Sequence, residues 1–169
     1  MQDSVIAWPA DRRWPVTDVT LATFRAAGLR FAVPVERIQE VLGEQALEPV
    51  PRAPSAVAGL INLRGQILAA IDLRRRLGLA PRPPELAETH LIVRSGSNLE
   101  SLVVDLPDEV VTLDDTTPAP VPDTIPSSMV PYLTAAHETV DSLVLVLDLD
   151  LVLAVAERGV GSDNDRVGD

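Results

Sequence analysis

Apolar and polar residues alternate along short stretches of this chain, and the clearest alternation lies near its middle. Within the apolar run Val57–Leu63, Gly59, Ile61 and Leu63 fall on one side and Leu60 and Asn62 on the other, as a pleated strand requires. Gln66–Ile71 is a second apolar run of strand length, and Arg64-Gly65 separates the two runs. Because glycine readily takes a positive φ, this dipeptide predicts the tip of a β-hairpin.

The pattern changes to helical signals at three places. Asp72 is a favoured N-cap residue and Gly78 a favoured C-terminal stop, so one or two helical turns are predicted between them. A second helix is predicted over Val35–Leu42, because its apolar residues recur at helical spacing and Pro34 suits a first turn. A short closing helix is predicted over Asp148–Glu157.

The remaining apolar runs predict further strands. Three hairpins are expected, formed by Leu21–Arg25 with Leu29–Val33, His90–Ser95 with Leu99–Asp105, and Leu133–His137 with Leu143–Leu147. Another strand, Leu106–Leu113, is interrupted by Pro107. Many short strands at this spacing favour small barrels, so the predicted fold class is all-β with short helices. The order of the elements suggests two subdomains of similar size, one from each half of the chain.

The ends of the chain differ from this body. Residues 1–20 lack a sustained period and are interpreted as an N-terminal arm, 21–157 as the folded domain, and 158–169, which are polar and glycine-rich, as a disordered tail. The arm contains Trp8 and Trp14. They either pin the arm to the body, which is the preferred interpretation, or anchor a partner.

The composition argues against several classes of function. The 169 residues carry a net charge of −11, which argues against binding to nucleic acid or to an anionic membrane surface. Aromatic residues make up only 3% of the chain, so the core is aliphatic. There is no cysteine, and no apolar run approaches the roughly 18 residues that cross a bilayer. We therefore expect a soluble cytoplasmic protein without direct membrane insertion.

Catalytic signals are weak. The phosphate-binding, nucleophile-elbow and zinc-helix motifs are absent from the sequence, and His90 and His137 lie far apart along it. Asp148 and Asp150 are close enough to bind a metal, but apolar residues interleave them, so an N-cap and a solvated carboxylate are the preferred interpretation. We expect no enzyme, no cofactor, no catalytic residues and no metal ligands. A small metal-binding β domain is kept as an alternative.

Two groups of arginines stand out. The cluster Arg74-Arg75-Arg76 is interpreted as a solvated helix face, because it cannot form a nucleic-acid site by itself in so acidic a chain. Arg64 lies at the predicted hairpin tip, on the same face as Asn62. Its guanidinium either braces the fold or projects toward a partner, and the residues leave both possibilities open. Without a catalytic site, physical reasoning ends at a binding module.

Several segments resemble one known family. GLINLRGQILAAIDLRRRLGL is similar to the signature of the CheW-like family, the coupling proteins of bacterial chemotaxis-type signalling. FAVPVERIQEVLGEQALEPVPRAPSAVAGLINLRG, SLVVDLPDEVVTL and DSLVLVLDLDLVL resemble other segments of the same family. The resemblance extends from Leu21 to Ala156, and the motifs occur in the family's order.

The resemblance implies a fold of two packed five-stranded SH3-like β-barrels and a non-catalytic scaffolding function. The implied partners are the regulatory domain of a CheA-type histidine kinase and the cytoplasmic tip of a methyl-accepting chemoreceptor. The protein would then lie at the periphery of membrane receptor arrays, and we expect it to be monomeric when alone. An adaptor of a twitching or developmental chemosensory pathway is the alternative.

The resemblance also implies site residues. The positions that match the family's receptor-binding residues are Glu40, Gly59, Asn62 and Arg64. Ile67 and Leu68 are candidates for contact with the kinase, and we expect at least one of them to lie in the core instead.

Overall fold

The computed structural model of the protein describes residues 19–113, 119, 121–140 and 142–160. Trp8 and Trp14, most of the predicted arm and the tail from residue 161 lie outside these ranges. The closing helix continues to Val160, three residues beyond its predicted end.

Most elements in the described residues are strands. They are β1 (Val19–Ala26), β2 (Leu29–Pro34), β3 (Ile38–Leu42), β4 (Val57–Leu63), β5 (Gln66–Asp72), β6 (Thr89–Ser95), β7 (Asn98–Val104), β8 (Leu106–Leu113), β9 (Leu133–Glu138) and β10 (Leu143–Leu147). Helix α1 spans Leu73–Leu77, and α2 spans Leu149–Val160. Single 3-10 turns lie at Val35–Arg37 and Val130–Tyr132.

The strands form two five-stranded sheets that are nested along the chain. The first sheet has the order β8-β1-β2-β10-β9, and the second has the order β3-β6-β7-β5-β4. The second sheet is therefore one continuous stretch of chain, and the first is built from the segments before and after it. The predicted all-β fold of two packed five-stranded units is confirmed, but the expected division into an N-terminal and a C-terminal half is wrong.

Each sheet has its two edges bridged by the chain that follows an edge strand. Beyond β3, Glu48 exchanges two backbone hydrogen bonds with Leu60 of β4, at 2.9 and 2.8 Å. Beyond β8, the Ala119 N–H donates to the Ala136 carbonyl of β9 at 2.7 Å. These bridges curl both sheets toward closure, which protects their edge strands.

Apolar residues form three clusters. One is a layer shared by the two sheets, and each sheet has another cluster on its opposite face, which we call the interior of that sheet. In β2, Phe31 and Val33 lie in the shared layer and Ala32 lies in the interior of the first sheet. In β7, Leu102 and Val104 likewise lie in the shared layer, and Val103 lies in the interior of the second sheet. Strands buried on both faces show continuous apolar runs in sequence, which explains segments such as LVLVL in β10.

The helix predicted over Val35–Leu42 is wrong. Only Val35–Arg37 forms one 3-10 turn, and the chain continues as β3, paired antiparallel with β6. Pairing with a neighbouring strand outweighs local preference here. Val41, which the helix would bury, has about half of its side chain exposed, since the true period of this segment is two.

The solvated arginine face predicted for α1 is also wrong. The side chain of Arg74 is only 8% exposed, and it donates from Nε and Nη2 to the two carboxylate oxygens of Asp105, at 3.0 and 2.5 Å. Arg75 matches the prediction better, with 56% of its side chain exposed. The helix begins and ends as predicted, because the Asp72 side chain caps it and Gly78 takes a left-handed conformation.

Asp105 lies where the chain leaves β7 of the second sheet and enters β8 of the first. It also accepts hydrogen bonds from the Ala27 N–H, at 2.9 Å, and from Nε of Arg82, at 3.0 Å. Burial alone would raise the pKa of this carboxyl group, but the hydrogen bonds from Arg74, Ala27 and Arg82 outweigh it and lower the pKa. The crossing between the sheets is thus held by a buried, charged and well-bonded group.

We expect Arg74→Met to lower the free energy of unfolding by about 3 kcal/mol, because it leaves the buried Asp105 carboxylate with fewer partners. Arg75→Met is the matched control on the same helix and should cost less than about 1 kcal/mol, as exposed ion pairs do. Urea denaturation of both variants gives the comparison. Equal losses would contradict a special role for the buried pair.

Candidate functional site

The β4–β5 hairpin ends in the turn that the sequence predicts. Arg64 and Gly65 both have positive φ, +51° and +84°, as the tightest hairpin turns require. The side-chain oxygen of Asn62 accepts the Gly65 N–H at 2.9 Å. Asn62 therefore stabilises the turn and is itself exposed to solvent.

Arg64 forms a two-pronged ion pair with Glu40. Its Nη1 and Nη2 lie 2.9 and 2.6 Å from the two carboxylate oxygens. Glu40 belongs to β3 and Arg64 follows β4, which are the two edge strands of the second sheet. The pair thus helps to bring these edges together, and the hydrogen bond from Arg64 is the main cause that lowers the pKa of Glu40.

Arg64 stays exposed at the surface although it is paired with Glu40. Its side chain is 70% exposed and that of Glu40 is 25% exposed, so the ion pair contributes little to stability. What the pair does instead is hold an exposed guanidinium in one position. Both interpretations of Arg64 from the sequence are therefore compatible with the geometry.

Gly59 has a structural reason of its own. It is buried, and a Cβ built on it would lie 2.6 Å from the Glu48 carbonyl oxygen. That carbonyl accepts the Leu60 N–H in the bridge that joins the edges of the second sheet. Gly59 thus allows the close approach of two backbone segments and does not itself present a surface.

The two candidates for kinase contact differ in position. Ile67 is 59% exposed, whereas Leu68 is 1% exposed and lies in the interior of the second sheet. The expectation that at least one of them lies in the core is met by Leu68. Ile67 lies directly across from Asn62 in the sheet register. We call the exposed group Asn62, Arg64 and Ile67 the hairpin surface.

The two histidines lie on strands, outside this surface. His90 is fully buried, with Nδ1 2.8 Å from the Ser101 hydroxyl and Nε2 3.0 Å from a Glu88 carboxylate oxygen. Burial lowers the pKa of His137, which lies on β9. The contact between His90 and Ser101 joins the side chains of β6 and β7.

The acidic pair near the end of the chain is likewise structural. Asp148 caps α2 by accepting the Leu151 N–H at 3.2 Å, as predicted. Asp150 is not simply solvated, because its carboxylate lies 2.5 Å from Nη2 of Arg37. Within the described ranges, no three or more His, Cys, Asp or Glu residues are arranged to hold a metal.

Sequence reasoning did not pair Arg64 with Glu40, which lies 24 positions away. The family resemblance, which selected both residues, was the only signal of the pair. The contact of the Glu48 backbone with Leu60 could not be predicted from the sequence, because a contact made by main-chain atoms does not depend on the residue type.

Within the described part of the chain, no helix is long and apolar enough to cross a membrane.

Comparisons with known proteins agree with this architecture. Residues 20–157 match the model of the CheW-like domain. The chain is 28% identical over 138 residues to the chemotaxis protein CheW of Rhizobium meliloti (strain 1021), covering 82% of this chain and 89% of that protein. A 54-residue segment is 44% identical to the protein FrzA of Myxococcus xanthus and covers 32% of this chain and 34% of FrzA.

A solved structure gives the same fold. The scaffolding protein TtCheW from Thermoanaerobacter tengcongensis superposes with a TM-score of 0.71 at 24% identity, covering 80% of this chain and 92% of that one. The family match and the relatives named CheW place this pair of nested five-stranded sheets in the chemotaxis-coupling class of scaffolds. The chain belongs to the CheW-like domain family.

We expect Gly59→Ala to lower the free energy of unfolding by about 2 kcal/mol, because the new methyl group collides with backbone that is itself hydrogen-bonded. Gly43→Ala is the control, since a Cβ there meets nothing within 4 Å. Thermal unfolding followed by circular dichroism measures both. If the two variants melt together, the close approach at Gly59 does not matter for stability.

Proposed function

We propose that this protein couples a chemoreceptor to a CheA-type histidine kinase and contributes contacts and geometry without catalysing a reaction. The observation that carries the proposal is the match of residues 20–157 to the CheW-like domain, which spans both sheets. A scaffold of this kind works by holding partners at high effective concentration. Receptor control then requires that the receptor's states hold the complex differently.

The polar part of the hairpin surface, Asn62 and Arg64, is our candidate for the receptor contact. Arg64 presents a fixed and exposed guanidinium, and Glu40 holds it in place. Asn62 keeps the turn that carries Arg64, and Gly59 keeps the sheet edge beneath it closed. A rigid charged group of this kind suits recognition of a carboxylate or carbonyl on a partner.

Ile67 is our candidate for the kinase contact, on the regulatory domain of the kinase. It is a large apolar residue exposed beside the polar part of the hairpin surface. Apolar side chains that a partner covers completely contribute most of the binding energy at interfaces. Leu68 supports Ile67 from inside the sheet and is not proposed to touch the kinase.

We further propose that the protein acts beside the cytoplasmic tip of the receptor, at the periphery of the receptor array. One relative, FrzA, is not named as a chemotaxis protein. An adaptor function in a different chemosensory pathway is therefore the second candidate. Co-purification with a CheA-type kinase and a receptor encoded in the same genome distinguishes the two pathways.

Arg64→Glu should leave the fold intact, because the ion pair is exposed, and should abolish receptor-dependent control of the kinase. The measurement is kinase autophosphorylation in membranes that contain receptor, with and without attractant. Normal control by this variant would remove Arg64 from the proposed contact.

The double variant Glu40→Arg with Arg64→Glu separates a brace from a contact. It reverses the ion pair, so any loss that comes only from the broken brace is recovered. We expect stability to be recovered and receptor control to stay lost. Recovery of both would show that Arg64 acts only within the protein.

Ile67→Gln should weaken binding to the kinase regulatory domain by about tenfold while binding to the receptor is kept, because a polar side chain replaces an apolar anchor of similar size. Val140→Gln, at a fully exposed position in the β9–β10 turn, is the control for the same chemical change. Isothermal titration measures both affinities. An unchanged affinity for Ile67→Gln would exclude this residue from the kinase contact.

A further inference from the structure

Helix α2 joins the two sheets. It follows β10 of the first sheet, and its residues Leu149, Val152 and Leu153 are buried in the shared apolar layer. An apolar layer stabilises the packing of two sheets, but its attraction is not directional. Sliding of packed layers is a common form of domain motion. The angle between the sheets therefore depends on the directional contacts around the layer.

Besides the Asp105 crossing, Arg76 makes directional contacts across the layer. It lies on α1, directly after β5 of the second sheet, and donates from Nε to the Val152 carbonyl at 3.0 Å and from Nη2 to the Leu151 carbonyl at 2.9 Å. Its guanidinium also lies 4.8 Å from the ring centre of Tyr132, which directly precedes β9 of the first sheet. One side chain thus connects the second sheet to two elements of the first.

Arg37, in the 3-10 turn before β3, contacts the same turn of α2 as Arg76 does. Its Nη2 contacts Asp150, and its Nε and Nη2 donate to the Arg94 carbonyl at 2.9 and 2.8 Å. Arg94 belongs to β6 of the second sheet. Leu151, Val152 and Asp150 are consecutive in the first turn of α2, so the two arginines bind one short segment.

The chemistry of these contacts requires arginine. Its planar guanidinium can donate two hydrogen bonds along one edge and stack on an aromatic ring at the same time. A lysine in place of Arg76 would keep the charge but lose the fork. The contact is therefore specific in direction as well as in distance.

We propose that Arg76 is a positioning residue that sets the orientation of the first sheet relative to the second. The inference rests on the proposed function, because its consequence is that a change at one partner contact passes through a stiff joint to the other. Without the Arg76 contacts, the shared layer and the Asp105 crossing still hold the sheets together, but a displacement of one sheet relative to the other is absorbed at the joint.

The test measures orientation directly. The sequence contains no cysteine, so Ser97→Cys in the β6–β7 turn and Val140→Cys in the β9–β10 turn place one spin label on each sheet. Double electron–electron resonance should give a narrow distance distribution for the otherwise unchanged chain. Arg76→Gln and Arg76→Lys should both broaden it, whereas Arg75→Gln, on the same helix, should leave it narrow.

The functional part of the test uses receptor membranes and kinase at a temperature well below unfolding. Arg76→Gln should bind both partners, but the receptor-dependent change in kinase activity should fall about fivefold. Arg75→Gln should keep the full change. If Arg76 only stabilised the fold, its substitution would lower the melting temperature. The receptor-dependent change in kinase activity at saturating protein would then stay the same.

The outcomes separate the two ideas. An unchanged distance distribution in Arg76→Gln overturns the orientation role, whatever the kinase does. A broadened distribution with full receptor control overturns the link from orientation to coupling. If the unsubstituted chain fails to bind or couple the partners, the proposed function is wrong, and the distances still decide whether Arg76 sets the angle.

Discussion

The structure depends on the neutralisation of one carboxylate, Asp105, at the place where the chain crosses from the second sheet to the first. A buried charge at a crossing costs several kcal/mol unless strong donors surround it. Arg74 supplies two of these donors, and the Ala27 N–H and Arg82 supply others. The need to bring Arg74 to this point explains why a helix of only five residues, α1, follows β5 with a cap at each end.

The same short helix also places the contacts that concern function. Once Arg74 is fixed in the interior, Arg76 is directed toward α2 and Arg75 toward solvent. At the other end of β5, the turn at Arg64 is fixed by Asn62 and Glu40. A rigid hairpin therefore extends from the exposed guanidinium to the joint between the sheets. Rigid elements of this kind hold surface groups more accurately than loops do.

Sequence reasoning succeeded where the determinants are local. The β4–β5 turn depends on Arg64-Gly65, and α1 depends on Asp72 and Gly78, so both were predictable from a few adjacent residues. It failed where a partner distant in the sequence determines the local structure. Pairing with β6 makes Val35–Leu42 mostly a strand, and Asp105, 31 positions away, draws Arg74 into the interior. For the site, the resemblance selected Glu40 and Arg64, but only coordinates show that they form one ion pair across the two edges of a sheet.

The nesting of the sheets has a consequence for biosynthesis. All strands of the second sheet are synthesised before β8, so that sheet can assemble before the first sheet is complete. Strands β1 and β2 emerge first, yet β2 pairs with β10, which is among the last segments to be made. At ordinary elongation rates this interval is on the order of ten seconds. During that time the nascent chain carries an unfinished sheet edge, where chaperone binding would protect it from aggregation.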